Sequence, residues 1–153
     1  MSASRIARRR TLGLIAGSAL AALTTRSQTV DAAEADALIR ELTGSAPLRE
    51  GRIRLTIPEL ADTGLSVPVS VEVESAMTTS DFVKSIRLIA PRNPRPLVAS
   101  INLSPLMARA SWTTRVRLGT SQEVTAIAIM SDGSYRVARA DVVVTISACI
   151  DGT

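Results

Sequence analysis

Apolar residues recur at every second position through most of this chain. That period puts one face of an extended strand into a core and does not fit a helix. Ile53, Leu55 and Ile57 alternate with Arg52, Arg54 and Thr56, and Val67, Val69, Val71 and Val73 alternate with Pro68, Ser70, Glu72 and Glu74. Pro68 has no N–H to donate, so its strand begins there or runs along an edge. Phe82 to Ala90 carries Ile86, Leu88 and Ala90 on one face, and Leu97, Ala99, Ile101 and Leu103 repeat the pattern up to Pro105. Trp112, Thr114, Val116 and Leu118 oppose Ser111, Thr113, Arg115 and Arg117. Val124 to Met130 is almost wholly apolar, as a central strand buried on both faces would be. Pro91 to Pro96 is a turn-rich break, and Asp132-Gly133 is a strong hairpin signal. Tyr135 and Val137 begin the return, and Val142 to Ile146 extends or follows it.

Only one stretch before these runs has a helical period. In Ala33 to Leu42, Leu38 and Leu42 are one turn apart with Ile39 beside them, Gly44 is a plausible stop, and Pro47 lies just beyond. This short helix could pack on the domain or dock on a partner. Seven or so short strands separated by turn signals predict an all-β fold, an immunoglobulin-like antiparallel β-sandwich with a short N-terminal helix and a mobile C-terminal tail. The Cys…Trp…Cys signature of antibody domains is missing, so the likeness is one of architecture. The expected organisation is an export signal over 1–32, the sandwich with its helix over 33–146, and a thiol-bearing arm over 147–153.

Arg5, Arg8, Arg9 and Arg10 precede a short apolar run from Leu12 to Leu23. That run is too short to span a bilayer, which takes about 20 residues. Arg9-Arg10-Thr11-Leu12, with its mild Gly- and Ala-rich sequel, looks like a twin-arginine export signal, and the expected location is periplasmic. An ordinary secretory signal or an N-terminal anchor are the alternatives. Cleavage near Ala33 would leave 13 basic and 13 acidic residues, so the whole-chain net charge of +4 belongs to the signal. No basic run survives in the body, and the only aromatics are Phe82, Trp112 and Tyr135, so nucleic acid is not an expected partner. Nor is a membrane, once the signal is removed.

The chain has no histidine, which removes imidazole metal sites, Ser-His-Asp triads and Cys-His dyads together. No Gly-rich phosphate loop is present, so no cofactor is expected and the residues do not support a self-contained enzyme. Met77, Met107 and Met130 are too scattered for a copper site. Trp112 reads as a core or interface residue, and Asp81 with Lys84 as a solvated pair.

Chemistry is left to Cys149, the only cysteine. It follows the last alternating run, in the segment Ser147-Ala148-Cys149-Ile150-Asp151-Gly152-Thr153. A lone cysteine can be a small core residue. Beyond the final strand, however, an unpaired thiol on a short arm is a handle that can be carried to another molecule.

The body resembles the SoxY family, the sulfur-carrying subunit of bacterial thiosulfate oxidation, over roughly residues 34–149. The matches run in order along the chain. They are Ile57-Pro58-Glu59-Leu60-Ala61-Asp62-Thr63-Gly64 with Val67-Pro68-Val69, Met77-Thr78 with Asp81-Phe82-Val83-Lys84, and Asn93-Pro94-Arg95-Pro96 with Val98-Ala99. Thr114-Arg115-Val116-Arg117-Leu118, Thr120-Ser121-Gln122-Glu123-Val124, Met130-Ser131-Asp132-Gly133-Ser134 and Val144-Thr145-Ile146 complete the series. The resemblance implies that Cys149 holds sulfur covalently and that the chain forms a heterodimer with a SoxZ-like subunit. It also implies transient visits to SoxAX, which attaches thiosulfate, SoxB, which removes sulfate, and SoxCD, which oxidises the sulfane sulfur.

The arm departs from the family. The usual Gly-Gly-Cys-Gly-Gly is replaced by Ser147 and Ala148 before the thiol and by Ile150 and Asp151 after it. Glycines give a thin, freely turning backbone, Ile150 is stiff, and Asp151 sets a negative charge beside anionic cargo. The alternative expectations are a divergent paralogue with changed or no cargo, acting as a SoxZ-binding or regulatory module, and a structural module that dimerises through Cys149.

Overall fold

The computed structural model describes residues 25–146. The first 24 residues, and with them most of the expected export signal, lie outside that span, as do Ser147, Ala148, Cys149, Ile150 and Asp151.

Helix α1 (Thr25–Thr43) is followed by nine strands: β1 (Leu48–Glu50), β2 (Ile53–Thr56), β3 (Leu60–Thr63), β4 (Val67–Val73), β5 (Val83–Ile89), β6 (Leu97–Asn102), β7 (Ala110–Val116), β8 (Gln122–Met130) and β9 (Tyr135–Ile146). They form two sheets. One has the order β1-β9-β8-β5-β6, with β3 also on β9, and the other has the order β2-β4-β7. The expected β-sandwich with its N-terminal helix is therefore present.

The alternation read from sequence is the alternation that packs. Val67, Val69, Val71 and Val73 of β4 point inward and are buried, while Pro68 and Glu72 are exposed. They meet Val83, Ile86 and Leu88 of β5 and Val124, Ala126, Ala128 and Met130 of β8 in one core between the sheets. Pro68 sits where β4 has a neighbour on one side only, because the register of β2 on β4 stops at Thr56↔Ser70 while β7 continues to Val67↔Val116. That satisfies a residue that cannot donate to a ladder. β8 lies between β5 and β9 and is buried on both faces, which explains its almost wholly apolar run from Val124 to Met130.

The outer face of the larger sheet is covered by α1. Ala35, Leu38, Ile39 and Leu42 pack on Ile89, Ile127, Val137, Leu48 and Tyr135, so the helix packs on its own domain. It ends as expected. Gly44 takes a left-handed φ of 58°, and Ser45 N–H donates to Arg40 O at 3.2 Å, closing the last turn. The helix is longer than the expected Ala33 to Leu42 and runs through the expected boundary at residue 32. The preceding residues lack the apolar stripe used to find it, yet hold no glycine or proline to stop it.

Two further readings need correction. β1 and β3 were not expected, and both pair with β9 in parallel, so the sandwich is not wholly antiparallel. The return from the hairpin is one continuous strand, β9, in which Val142 to Ile146 extends the run begun by Tyr135 and Val137. Asp81 pairs with Arg52 at 3.3 Å, across the fold from a turn in which Arg52 takes a φ of 61°, where a pair with Lys84 was expected. Trp112, half-buried on β7, packs against the core.

The Asp132-Gly133 turn closes β8 onto β9 with Gly133 at a φ of 82°. Ser134, whose backbone N–H donates to the Asp132 carboxylate at 2.8 Å, holds that carboxylate below the ordinary aspartate range. A carboxylate depressed in this way supports the folded state above its ordinary titration range. The support is lost as pH falls through the lowered value.

Leu88 is fully buried between the sheets. Leu88→Ala is expected to cost about 2–5 kcal/mol in chemical denaturation, since it removes apolar contact and leaves a cavity.

Candidate functional site

Cys149 and its flanks Ser147, Ala148, Ile150 and Asp151 lie outside the described residues, so the visible part of this site is the platform from which they leave. That platform is the end of β9. Cys149 is three residues beyond Ile146, so its Cα lies at most about 10–11 Å from that of Ile146.

The last residues of β9 are held differently from the rest of the strand. Pairing with β8 stops at Gln122↔Val142. Beyond it β3 takes over on the other edge, with Leu60↔Val143, Ala61↔Val144 and Thr63↔Ile146 in parallel register. Val143 N–H donates to Glu59 O at 2.8 Å, Gly64 N–H donates to Ile146 O at 2.9 Å, and the Thr145 hydroxyl donates to Asp62 O at 2.7 Å. On the edge vacated by β8, the Ser121 hydroxyl accepts from Val144 N–H at 2.8 Å and donates to Val144 O at 3.4 Å. A side chain thus stands in for a ladder partner. The strand is tied down on the β8 side as far as Val144 and on the β3 side as far as Ile146, its last described residue.

Ser121 is itself set by a buried polar hub. Asn93 Nδ2 donates to Arg117 O at 2.8 Å, and Asn93 Oδ1 accepts from Gly119 N–H at 2.9 Å and Gln122 Nε2 at 3.0 Å. Gln122 Oε1 accepts from Arg92 N–H at 2.8 Å, and its Nε2 also donates to Thr120 O at 3.1 Å. Asn93 and Gln122 are buried and fully partnered, so the hub rigidifies the loop between β7 and β8 and carries no orphaned polar group. The sequence marks Asn93-Pro94-Arg95-Pro96 as part of a turn and gives Thr120-Ser121-Gln122-Glu123 no structural role, and nothing in it joins the two. The two segments are 29 residues apart at Asn93 and Gln122, and only the fold joins them.

A second feature lies at the opposite end of the smaller sheet. A groove of about 340 Å³ is lined by Arg52, Arg54, Arg109, Glu72 and Glu74, with Ser75 and Ser111. It opens where Ile53, Val73 and Ala110 are in register, whereas β9 ends beside the Val67↔Val116 end, with Ile146 O accepting from Gly64 N–H and Gly64 O from Leu118 N–H. Its mixed charges largely cancel. Among the described residues no group of three or more His, Cys, Asp or Glu could hold a metal ion, and no helix is long and apolar enough to cross a membrane. Met77 and Met130 are buried in the core, far from any such role.

Comparison with known proteins adds what the platform alone does not. The protein-family model described as "Sulfur oxidation protein SoxY" matches residues 39–149. The structure is similar to that of the sulfur carrier protein SoxY from Chlorobium limicola f thiosulfatophilum, with a TM-score of 0.62 and 28% identity, covering 75% of this chain and 99% of that one. It is also similar to a superoxide reductase (neelaredoxin) from Ignicoccus hospitalis, with a TM-score of 0.55 and 18% identity, covering 61% of this chain and 80% of that one. A putative superoxide reductase from Thermotoga maritima gives a TM-score of 0.55 at 14% identity, covering 63% and 93%. The last two likenesses are of fold alone. No curated protein matches the chain.

Asn93→Ala strips the hub of three bonds and leaves Gln122 buried with a partner lost. The expected loss is about 1–3 kcal/mol in urea denaturation. Hydrogen exchange should quicken at Gly119 and Val144 before it does in β4.

Proposed function

This chain belongs to the SoxY family of sulfur-oxidation carrier proteins, and we propose that it is an exported carrier holding thiosulfate-derived sulfur covalently on Cys149. The observation that carries the reading is the extent of the family match, which runs to residue 149 and so takes in the only cysteine. The tied-down end of β9 supports it, because a thiol needs a fixed base if a short arm is to be presented to several enzymes in turn.

The chemistry follows from the thiol. The Cys149 thiolate forms a sulfur–sulfur bond to the outer sulfur of thiosulfate, and the two electrons released pass to the cytochrome SoxAX. In SoxB, water attacks the sulfonate sulfur. Sulfate leaves, two protons are released, and a persulfide stays on Cys149. SoxCD then oxidises that sulfane sulfur. The chain's own contribution is to hold the sulfur and present it. The twin-arginine signal sends the folded domain to the periplasm, where a SoxZ-like subunit pairs with it.

A second reading rests on a specific observation: Ser147, Ala148, Ile150 and Asp151 stand where the family has glycines. In that reading the chain is a paralogue whose cargo has changed or been lost.

Intact mass of protein purified from its own periplasm should show sulfur adducts on Cys149. Cys149→Ser should leave stability unchanged to within about 0.5 kcal/mol in thermal unfolding, and abolish sulfur-dependent turnover of the reconstituted system. Turnover that survives in this variant would end the carrier reading. Ile150→Gly with Asp151→Gly should preserve or raise turnover. Activity seen only with these glycines would favour the paralogue. Co-expression with a SoxZ-like subunit should give one heterodimer peak in size exclusion, and two monomer peaks at micromolar concentration would count against the pairing.

A further inference from the structure

A docking surface on this body presupposes the carrier reading, which leaves open how an enzyme recognises the domain behind the thiol. Among the described residues, seven large apolar side chains are exposed: Leu60, Leu65, Leu97, Leu106, Met107, Val143 and Ile146. Four of these lie at one place. Leu60 is on β3, Leu65 is in the turn just after it, and Val143 and Ile146 are on the last four described residues of β9. Leu60 is the register partner of Val143, and Ile146 that of Thr63. The Leu65 N–H donates to Thr63 Oγ1 at 3.3 Å, and Leu118 N–H to Gly64 O at 2.8 Å, so the turn belongs to the same rigid corner. The four side chains are 53–67% exposed. Leu60 and Val143 share the outward face of the β3–β9 pair, and Ile146, with the parity of Val144, lies with the Leu65 turn at the end of the same pair.

Burial elsewhere in this corner is ordinary. Ala61 and Val144, between the exposed positions, point into the core and are buried. The outward residues of β3 and β9 need no apolar character for folding. A leucine and a valine side by side on a solvent-facing edge pair therefore call for another explanation.

Tether length supplies the occupant. A pocket that takes in the Cys149 sulfur and its cargo must bring its rim closer to Ile146 than the roughly 10–11 Å the three-residue tether allows. At that approach the rim lands on the corner. We propose that Leu60, Leu65, Val143 and Ile146 form a docking collar for the active-site rim of the enzyme that processes the sulfur on Cys149. Glu59 and Asp62 are exposed on either side of Leu60, so the matching rim is an apolar lip bordered by basic residues. The collar gives the enzyme a handle on the carrier that does not depend on which sulfur species is loaded. One body can then serve successive enzymes.

The test uses the full carrier with its SoxZ-like subunit, loaded from thiosulfate, and the sulfate-releasing hydrolase as the probe. Leu60→Ser combined with Val143→Thr should raise KM for the loaded carrier about tenfold with kcat within about twofold, the pattern of lost docking with intact chemistry. The thermal midpoint and the Cys149 adduct mass should not change, since both side chains face solvent. Leu106→Ser, a 95% exposed residue in the loop between β6 and β7, should leave KM unchanged. An unchanged KM in the double variant, with normal loading, overturns the collar and leaves the carrier reading standing. So does loss of the heterodimer peak in the same variant, which would assign the corner to the stable partner. Failure of the parent protein to take any adduct on Cys149 overturns the carrier reading, and the collar with it.

Discussion

β9 is the strand on which the rest of the structure depends. It pairs with β8 along one edge and with β1 and β3 along the other. Its Val142 and Val144 enter the core between the sheets, and its Tyr135 and Val137 lie under α1. Among the described residues, no other strand has contacts in both apolar clusters as well as three strand partners. Because side chains alternate with a period of two, a slip of β9 by one residue would turn Val142 and Val144 to solvent and break both clusters together. The register of this strand also fixes where the chain leaves the body. The point of departure for Cys149 is therefore set by the same apolar burial that stabilises the fold.

The two ends of β9 are secured by different physics. At the start, the tight Asp132-Gly133 turn and antiparallel pairing with β8 are local in sequence, and the distant β1 adds a parallel partner at Tyr135 to Val137. At the end, the ladder is completed by β3, which lies more than 80 residues away at the Thr145–Asp62 hydrogen bond, and by the Ser121 hydroxyl. Long-range pairing of this kind has to offset loop-closure entropy. Here the Asn93–Gln122 hub helps by holding the loop that carries Ser121. The division suits a carrier: the body is closed and well packed up to Ile146, and the proposed chemistry lies beyond it.

Much of the sandwich was legible in the periodicity of the chain. β2, β4, β5, β6, β7 and β8 announce themselves because each alternates apolar and polar residues or, in β8, is almost wholly apolar from Val124 to Met130. The hairpin at Asp132-Gly133 and the helix stop at Gly44 were legible for a different reason, since each needs backbone angles that glycine supplies without strain. β3 was not legible. Of Leu60, Ala61, Asp62 and Thr63, only Ala61 is buried, so the segment has no apolar period to detect. β1 is three residues long and gives no period either. The continuity of β9 was hidden because its middle inward positions are the small Ala138 and Ala140, which break the run of large apolar residues.

The sequence by itself determined the fold class, the family and the one thiol on which a carrier role can rest. Periodicity, ordered motifs and the uniqueness of Cys149 are all local or countable properties. The tertiary structure alone decided how the thiol's base is built. Asn93, Gln122, Ser121, Leu60 and Val143 come together only when distant segments are folded onto β9. A hydroxyl that completes a ladder, or a leucine exposed beside a valine, has no signature along the chain. Its meaning comes from a neighbour that only folding supplies.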